Sequence, residues 1–402
     1  VVRKLGLLAA LYLAQGLPFG FFSQALPAML RQQGVSLEGI GLTSLLALPW
    51  GLKFLWAPLV DRHGGGARAG RRRAWILPLQ AASIVLLLAL AAADPGAHLP
   101  WILGGILLIN LLAATQDIAT DGLAVTILDE RERGLGNGVQ VAGYRLGMIV
   151  GGGALLILFD RLGWPLIFLS MAALLALATL PILLFREPEP AAPPPRIGLI
   201  PSLRGFLGRP GAAAWLLAIA AYKAGEHLAT AMLKPLMIDR GLDLEQIGWL
   251  IGTAGFLASF TGALSGGALL GHLGRERALV LFGVLQAISV AAYALITVGP
   301  IDLRLLYSLT VAEHLFGGMA TAALFTRMMD ACRLQHAGSD YTVQASVVVL
   351  ATGGAAAVSG ASAAALGYTH HFLLAGALSL LLLLPLAWHI HQRRRGRADI
   401  MV

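Results

Sequence analysis

Apolar stretches of about 20 residues recur along almost the whole chain, and that recurrence leaves few folds open. A helix needs about 20 mostly apolar residues to cross the hydrocarbon core of a bilayer. Such stretches fall near 5–30, 38–60, 74–93, 101–125, 136–158 and 164–185, and again near 211–237, 245–270, 278–298, 303–326, 342–366 and 372–390. None alternates with period two, which argues against a transmembrane β-barrel. Of the 402 residues 57% are hydrophobic and 12% charged, about half the charged share of a soluble domain. Lipid must therefore cover most of the exterior. The sequence predicts an all-α polytopic membrane protein with twelve transmembrane helices. The first stretch is too long for the apolar core of a cleavable signal peptide and is expected to stay as the first helix.

The formal net charge of +8 invites a nucleic-acid reading, but its distribution points elsewhere. Basic residues collect in alternate connections. They are Arg3 and Lys4, the 61–73 loop, Arg131 and Arg133, Arg186 to Arg209, Arg275 and Arg277, Arg327 and Arg333, and the tail from Arg393 to Arg397. The opposite connections hold only Arg31, Arg161, Arg240 and Arg304. This positive-inside pattern is expected to place both termini and the central loop in the cytoplasm and requires an even helix count.

Proline interrupts the apolar pattern once, from Glu187-Pro-Glu-Pro190 through Pro193-Pro-Pro195. Proline there favours extended, solvated chain. Residues 186–210 accordingly read as a cytoplasmic linker between six-helix halves at 1–185 and 211–402. A local repeat agrees: Gly34–Gly41 matches Gly241–Gly248 at five of eight positions, each copy between the first and second helix of its half. Ser36 and Asp243 suit helix N-caps there. Repeated six-helix halves are the build of the major facilitators, whose solute site lies near the bilayer midplane.

Ionisable groups at membrane depth cost several kcal/mol unless paired or hydrated, so they are candidate functional residues. Helix four carries Asp117 and Asp121, four apart and on one face. Helix five carries Arg145. Counted from the intervening loop, Asp117 and Arg145 each lie ~18 Å along their helices, so either aspartate is expected to pair with Arg145. Helix seven carries Lys223, Glu226 and His227, and helix ten carries Glu313 and His314. A carboxylate beside an imidazole suits proton exchange near neutral pH. Lys223 is expected to hold Glu226 ionised, which leaves Glu313 as the preferred proton site and Glu226 as the second choice. Gln15 and Gln24 lie on the first helix, where Pro18 and nearby glycines permit a bend, and Phe19, Phe21 and Phe22 beside them can meet an aromatic ligand. His370 and His371 are expected in a short external loop. Between helices two and three, Asp61 and Arg62 are followed by Arg71 and Arg72. A carboxylate there can pair with an arginine or cap a neighbouring helix, which suits a gating latch. The matching second-half loop, Gly271 to Arg277, has no aspartate.

The sequence holds no Walker A motif and no H-E-x-x-H motif. The chain is therefore expected to be no enzyme and to use an ion or solute gradient. No cofactor or resident metal site is implied.

Several strings resemble the AmpG-like permeases of the major facilitator superfamily. They are Lys53-Phe-Leu-Trp-Ala-Pro-Leu-Val-Asp-Arg62, Gln116-Asp-Ile-Ala-Thr-Asp121, Arg131-Glu-Arg-Gly134, Gly143-Tyr-Arg-Leu-Gly-Met148 and Tyr222-Lys223 with Gly225. Within that group, Tyr12 to Phe22 and Asp340-Tyr-Thr-Val-Gln-Ala-Ser346 look closer to the RhtX/FptX siderophore permeases. The resemblance implies import of a pyochelin-like ferric siderophore, with muropeptide import as the alternative; the Glu-His pairs add an expectation of proton coupling and the two halves one of alternating access, and a non-transporting membrane receptor is a further alternative. The implied partners are that solute, protons and the lipid bilayer, and the expected working state is a monomer. Nucleic acid is not among them.

Overall fold

The computed structural model describes residues 1–32, 43–63, 70–94, 98–188, 199–300, 302–384 and 386. The Gly34–Gly41 repeat copy with its Ser36 cap, and the prolines at 190–195, lie outside the described residues, as does the side chain of Gln24. Contacts divide the chain into two compact units. The first comprises Val1–Asp129, Ala142–Leu203 and Cys332–Val343, and the second Glu130–Val141, Arg204–Ala331 and Gln344–Val402.

The first unit begins with α1 (Val2–Gly20). Pro18 removes one ladder hydrogen bond without breaking the helix, which widens into a π-turn at Phe21–Ala25 and continues as α2 (Leu26–Gln32). The next span is made in pieces: a 3₁₀ turn at Thr43–Ala47, α3 (Leu48–Leu52), a second 3₁₀ turn at Lys53–Leu55, and α4 (Ala57–Arg62). Prolines in the first turns of α3 and α4 restart the helix each time, because proline needs no amide partner there. Lys53 thus sits at a joint. α5 (Arg73–Ala91) and α6 (Leu99–Ile127) follow. α7 (Arg133–Met148), whose residues up to Val141 belong to the second unit, then runs through a π-turn at Ile149–Ala154 into α8 (Leu155–Leu184). α8 is two helices meeting at Gly163, whose φ of 68° and ψ of 173° suit glycine alone. The core of this unit gathers Phe21, Phe22, Met29, Ile106, Trp164 and Phe168.

Residues 199–207 form α9 (Leu199–Leu207). The expectation of extended chain across 186–210 is therefore corrected at its C-terminal end, where Leu, Ile and Phe supply an apolar face that a solvated linker lacks.

In the second unit α10 (Ala212–Thr230) and α11 (Leu233–Asp239) form one interrupted span. α12 (Leu244–Ile247), a π-turn at Gly248–Gly255 and α13 (Phe256–Leu273) form the next. Asp243 accepts from the Gln246 amide at 2.7 Å while Gln246 Oε1 accepts from the Asp243 amide at 3.2 Å. That reciprocal capping is the start signal expected from the sequence. α14 (Arg275–Ala292) extends through a 3₁₀ turn to Thr297, and α15 (Leu303–Asp330) and α16 (Ala337–Leu381) complete the described chain. α16 is again two helices, divided at Gly367 (φ 71°, ψ 160°). The core here includes Leu233, Met237, Val290, Tyr293, Leu306 and Phe372.

Dividing α8 and α16 at these glycines gives, among the described residues, helical segments at all twelve spans read from the sequence. Seven helices are long and apolar enough to cross a membrane, among the described residues. Large apolar side chains such as Trp101, Leu177 and Leu217 are more than half exposed, as lipid-facing residues are. Tight backbone contacts set the helix pairs: a Cβ on Gly151 would collide with the Leu17 carbonyl, and one on Gly262 with the Leu315 carbonyl. Small residues that let backbones touch are the usual interface of membrane helices. The first contact packs the π-turn after α7 on α1, and the second draws α15 against α13.

His371 was expected in a solvated loop, but it is fully buried. Its Nε2 faces the Leu228 carbonyl at 3.0 Å and its Nδ1 the Ser362 hydroxyl at 3.0 Å. The chain reverses at Gly367, four residues earlier, so His371 already lies inside the returning helix. His370, its neighbour, is exposed.

Candidate functional site

The first unit holds a polar cluster inside its apolar body. Lys53 Nζ forms an ion pair with Asp117 Oδ2, and the two residues are 3% and 7% exposed. One turn along α6, Asp121 accepts from the Tyr12 hydroxyl at 2.7 Å. Lys53, a partner the sequence reading did not offer, is presented to Asp117 by the joint between α3 and α4. Beside this pair stands an aromatic corner. Phe19 meets Trp50 edge-on at 5.5 Å and Tyr144 at 5.7 Å, and Lys53 Nζ lies 5.5 Å from the Trp50 ring centre. Trp50 is fixed by its indole donating to Asn110 Oδ1 at 3.1 Å. Phe21 and Phe22 pack into the core and are not available to a ligand. Gln15 is 1% exposed, and neither atom of its amide has a protein partner; the Nε2 of buried Gln116 lacks one too. Buried amides of this kind are rare unless something else completes their hydrogen bonds.

The second unit holds a second cluster. Lys223 is ion-paired with Glu226 one turn on. Glu313, 2% exposed, has His314 Nδ1 at 2.8 Å and accepts from the Tyr293 hydroxyl at 3.5 Å. α10 and α15 bring the two carboxylates together over Gly317. A Cβ at that glycine would lie 3.3 Å from Glu226 Oε1, 3.7 Å from Glu313 Oε1 and 3.1 Å from Gln286 Nε2. Gln286 is 3% exposed, and its Nε2 has no protein partner. The His314 ring rests against Gly255, where any side chain would collide with it. His227 turns Nδ1 toward its own helix, to the Lys223 carbonyl at 3.1 Å.

The sequence pattern of the Major Facilitator Superfamily matches residues 8–355. The chain belongs to that superfamily. It is 36% identical over 342 residues to the anhydromuropeptide permease of Escherichia coli (strain K12), a match spanning 84% of this chain and 70% of that protein. That similarity places it with the AmpG-like permeases. Among solved structures it superposes on the human organic anion transporter MFSD10 (TETRAN) with a TM-score of 0.72 at 15% identity, covering 96% of this chain and 99% of that one. It also superposes on the transporter FucP in the outward conformation with a TM-score of 0.72 at 14% identity, covering 94% and 97%. These two likenesses concern the fold.

Major facilitator proteins are polytopic membrane transporters of small solutes, and the remaining expected residues of this one form two further networks. In the first unit Asp61 is 2% exposed. Its Oδ1 pairs with Arg72 at 2.5 Å, and its Oδ2 accepts from the Ser339 amide at 2.7 Å, in the first turn of α16. Arg71 donates to the Asp61 carbonyl and, at 3.3 Å, to that of Gln335. Arg62 is exposed and takes no part. Glu187 caps α5, accepting from the amides of Arg72 at 2.8 Å and Arg73 at 3.1 Å. In the second unit, where the sequence offered no loop aspartate, Asp330 supplies the carboxylate. It receives Arg133 at 2.9 Å, Arg275 at 3.0 Å and Arg327 at 3.5 Å.

Sequence reasoning missed Lys53, Asp330 and Gln286. The signal for Lys53 was present: a lysine inside an apolar span is costly wherever it lies.

Burial alone would push the Asp61 carboxyl up. The Arg72 charge and the Ser339 hydrogen bonds outweigh burial and hold it below the ordinary carboxylate value. Its contribution to stability is therefore complete above about pH 4 and is lost as pH falls further. Asp61→Asn should cost ~3 kcal/mol near neutral pH, because Arg72 is left buried without its counter-charge. Thermal unfolding of both proteins across pH should show that difference shrinking below about pH 4. A difference that grows on acidification would contradict this account of Asp61.

Proposed function

We propose that the protein is a proton-coupled permease for anhydromuropeptide-type solutes, amino sugars carrying a short peptide, taken up across the inner membrane by alternating access. The observation that carries this reading is the 36% identity to the Escherichia coli anhydromuropeptide permease over most of the chain. It favours the second of the two substrates anticipated from the sequence and sets aside the siderophore.

The first cluster supports that class. A sugar ring presents C–H faces that pack on aromatic rings, and Phe19, Trp50 and Tyr144 offer such faces around Lys53. Its N-acetyl and hydroxyl groups need amide partners, which Gln15 and Gln116 can provide. Peptide carboxylates need a cation, and Lys53 and Arg145 carry one each. The second cluster supports proton coupling: two carboxylates and an imidazole share one small volume, with the Tyr293 hydroxyl donating to Glu313.

The test is binding to the purified protein by isothermal titration calorimetry, with an anhydromuropeptide and a ferric pyochelin-like siderophore side by side. Saturable heat with the muropeptide alone is expected. Heat with the siderophore alone would reverse the assignment, and binding without transport in vesicles would leave a receptor.

A further inference from the structure

Outside the transport clusters, the second unit carries a surface cavity of about 580 Å³ where α13 ends and α14 begins. Four guanidinium groups line it, from Arg131, Arg275, Arg277 and Arg327, against two carboxylates, Glu130 and Glu276. Part of this charge is spoken for. Asp330 takes Arg275 and Arg327 together with Arg133, so one carboxylate serves three cations. Arg275 also donates to the Glu130 carbonyl. Arg131 and Arg277 are exposed and enter no ion pair among the described residues. α14, which is 18 residues long, starts at the cavity with no side chain capping its first amides, and those amides add a partial positive charge.

The cavity lies at the ends of two candidate membrane spans, Glu245–Leu273 and Arg275–Thr297. That is the depth at which lipid headgroups sit. A ligand for it must be anionic, compact and rich in acceptor oxygens, because the lining offers forked N–H donors that match phosphate geometry. We propose that this cavity binds a phosphate group, presented by the headgroup of an acidic phospholipid or by a free phosphate-bearing molecule. Basic pockets between membrane helices hold acidic headgroups in this way.

The purified protein is tested in mixed micelles by thermal unfolding and native mass spectrometry, with phosphatidylglycerol, phosphatidylcholine and inorganic phosphate as probes at matched ionic strength. The variants are Arg131→Gln/Arg277→Gln and Arg131→Lys/Arg277→Lys, since neither arginine holds the fold through an ion pair. Phosphatidylglycerol is expected to bind and stabilise the wild type and the lysine variant. It should bind the glutamine variant roughly thirtyfold more weakly, as two surface charges are lost. Inorganic phosphate binding with the same dependence on the variants, and no added effect of phosphatidylglycerol, would assign the site to a free phosphate. If the glutamine variant fails to fold, salt decides: binding to the wild type must weaken as ionic strength rises. Undiminished binding to the glutamine variant, no preference of the wild type for either anion over phosphatidylcholine, or salt-independent binding would overturn the proposal.

Discussion

Replacing Lys53 by Met is expected to cost ~3–5 kcal/mol of stability and to abolish transport. The stability loss is that of leaving one member of a buried ion pair without its partner. Asp117 is 7% exposed, so its charge has little water to turn to. The double variant Lys53→Met/Asp117→Leu removes both charges and fills the space, and it should recover most of that stability, since apolar replacements of buried pairs are often neutral. It should not recover uptake. Thermal unfolding and vesicle uptake, measured on both variants, separate a structural pair from a working one. If the double variant regains transport together with stability, Lys53 and Asp117 serve the fold alone.

Glu313→Gln is expected to flatten the pH dependence of uptake. In the wild type, uptake should rise as the donor side is acidified, because a proton on the carboxylate removes a buried charge before the carrier reorients. Glutamine keeps the shape and cannot exchange a proton. At the acidic optimum the variant should fall on the order of tenfold to a hundredfold below wild type, equivalent to a lost charge-assisted hydrogen bond of ~1.5–3 kcal/mol. Glu226→Gln should have the smaller effect on pH response, since Lys223 already holds Glu226 in an ion pair. A Glu313→Gln protein with wild-type pH dependence would reject Glu313 as the proton carrier.

The helices were legible because the demand of a bilayer for apolar length acts on each segment separately. The Asp243 cap is equally local, and the sequence shows it. Side-chain partnership is not local. Depth along a helix does not reveal that Lys53, carried by the 3₁₀ joint at Lys53–Leu55, reaches Asp117. Likewise Glu226 and Glu313 were each visible as a costly charge, while their meeting over Gly317 depends on how α10, α14 and α15 pack. Asp330 was overlooked because an aspartate at a helix end is usually solvated. Here it is 7% exposed and takes three arginines. His371 failed for the opposite reason: a polar pair after a glycine looked like a loop, while the turn is completed by Gly367 alone.

The claim on which the whole account rests is that the buried charges of this major facilitator couple a proton to a muropeptide-type solute. Proteoliposomes loaded at neutral pH and diluted into acidic medium with labelled anhydromuropeptide measure it directly. Accumulation above the external concentration is expected, driven by the pH gradient and ended by a protonophore. Uptake that only equilibrates, with or without the gradient, would contradict it.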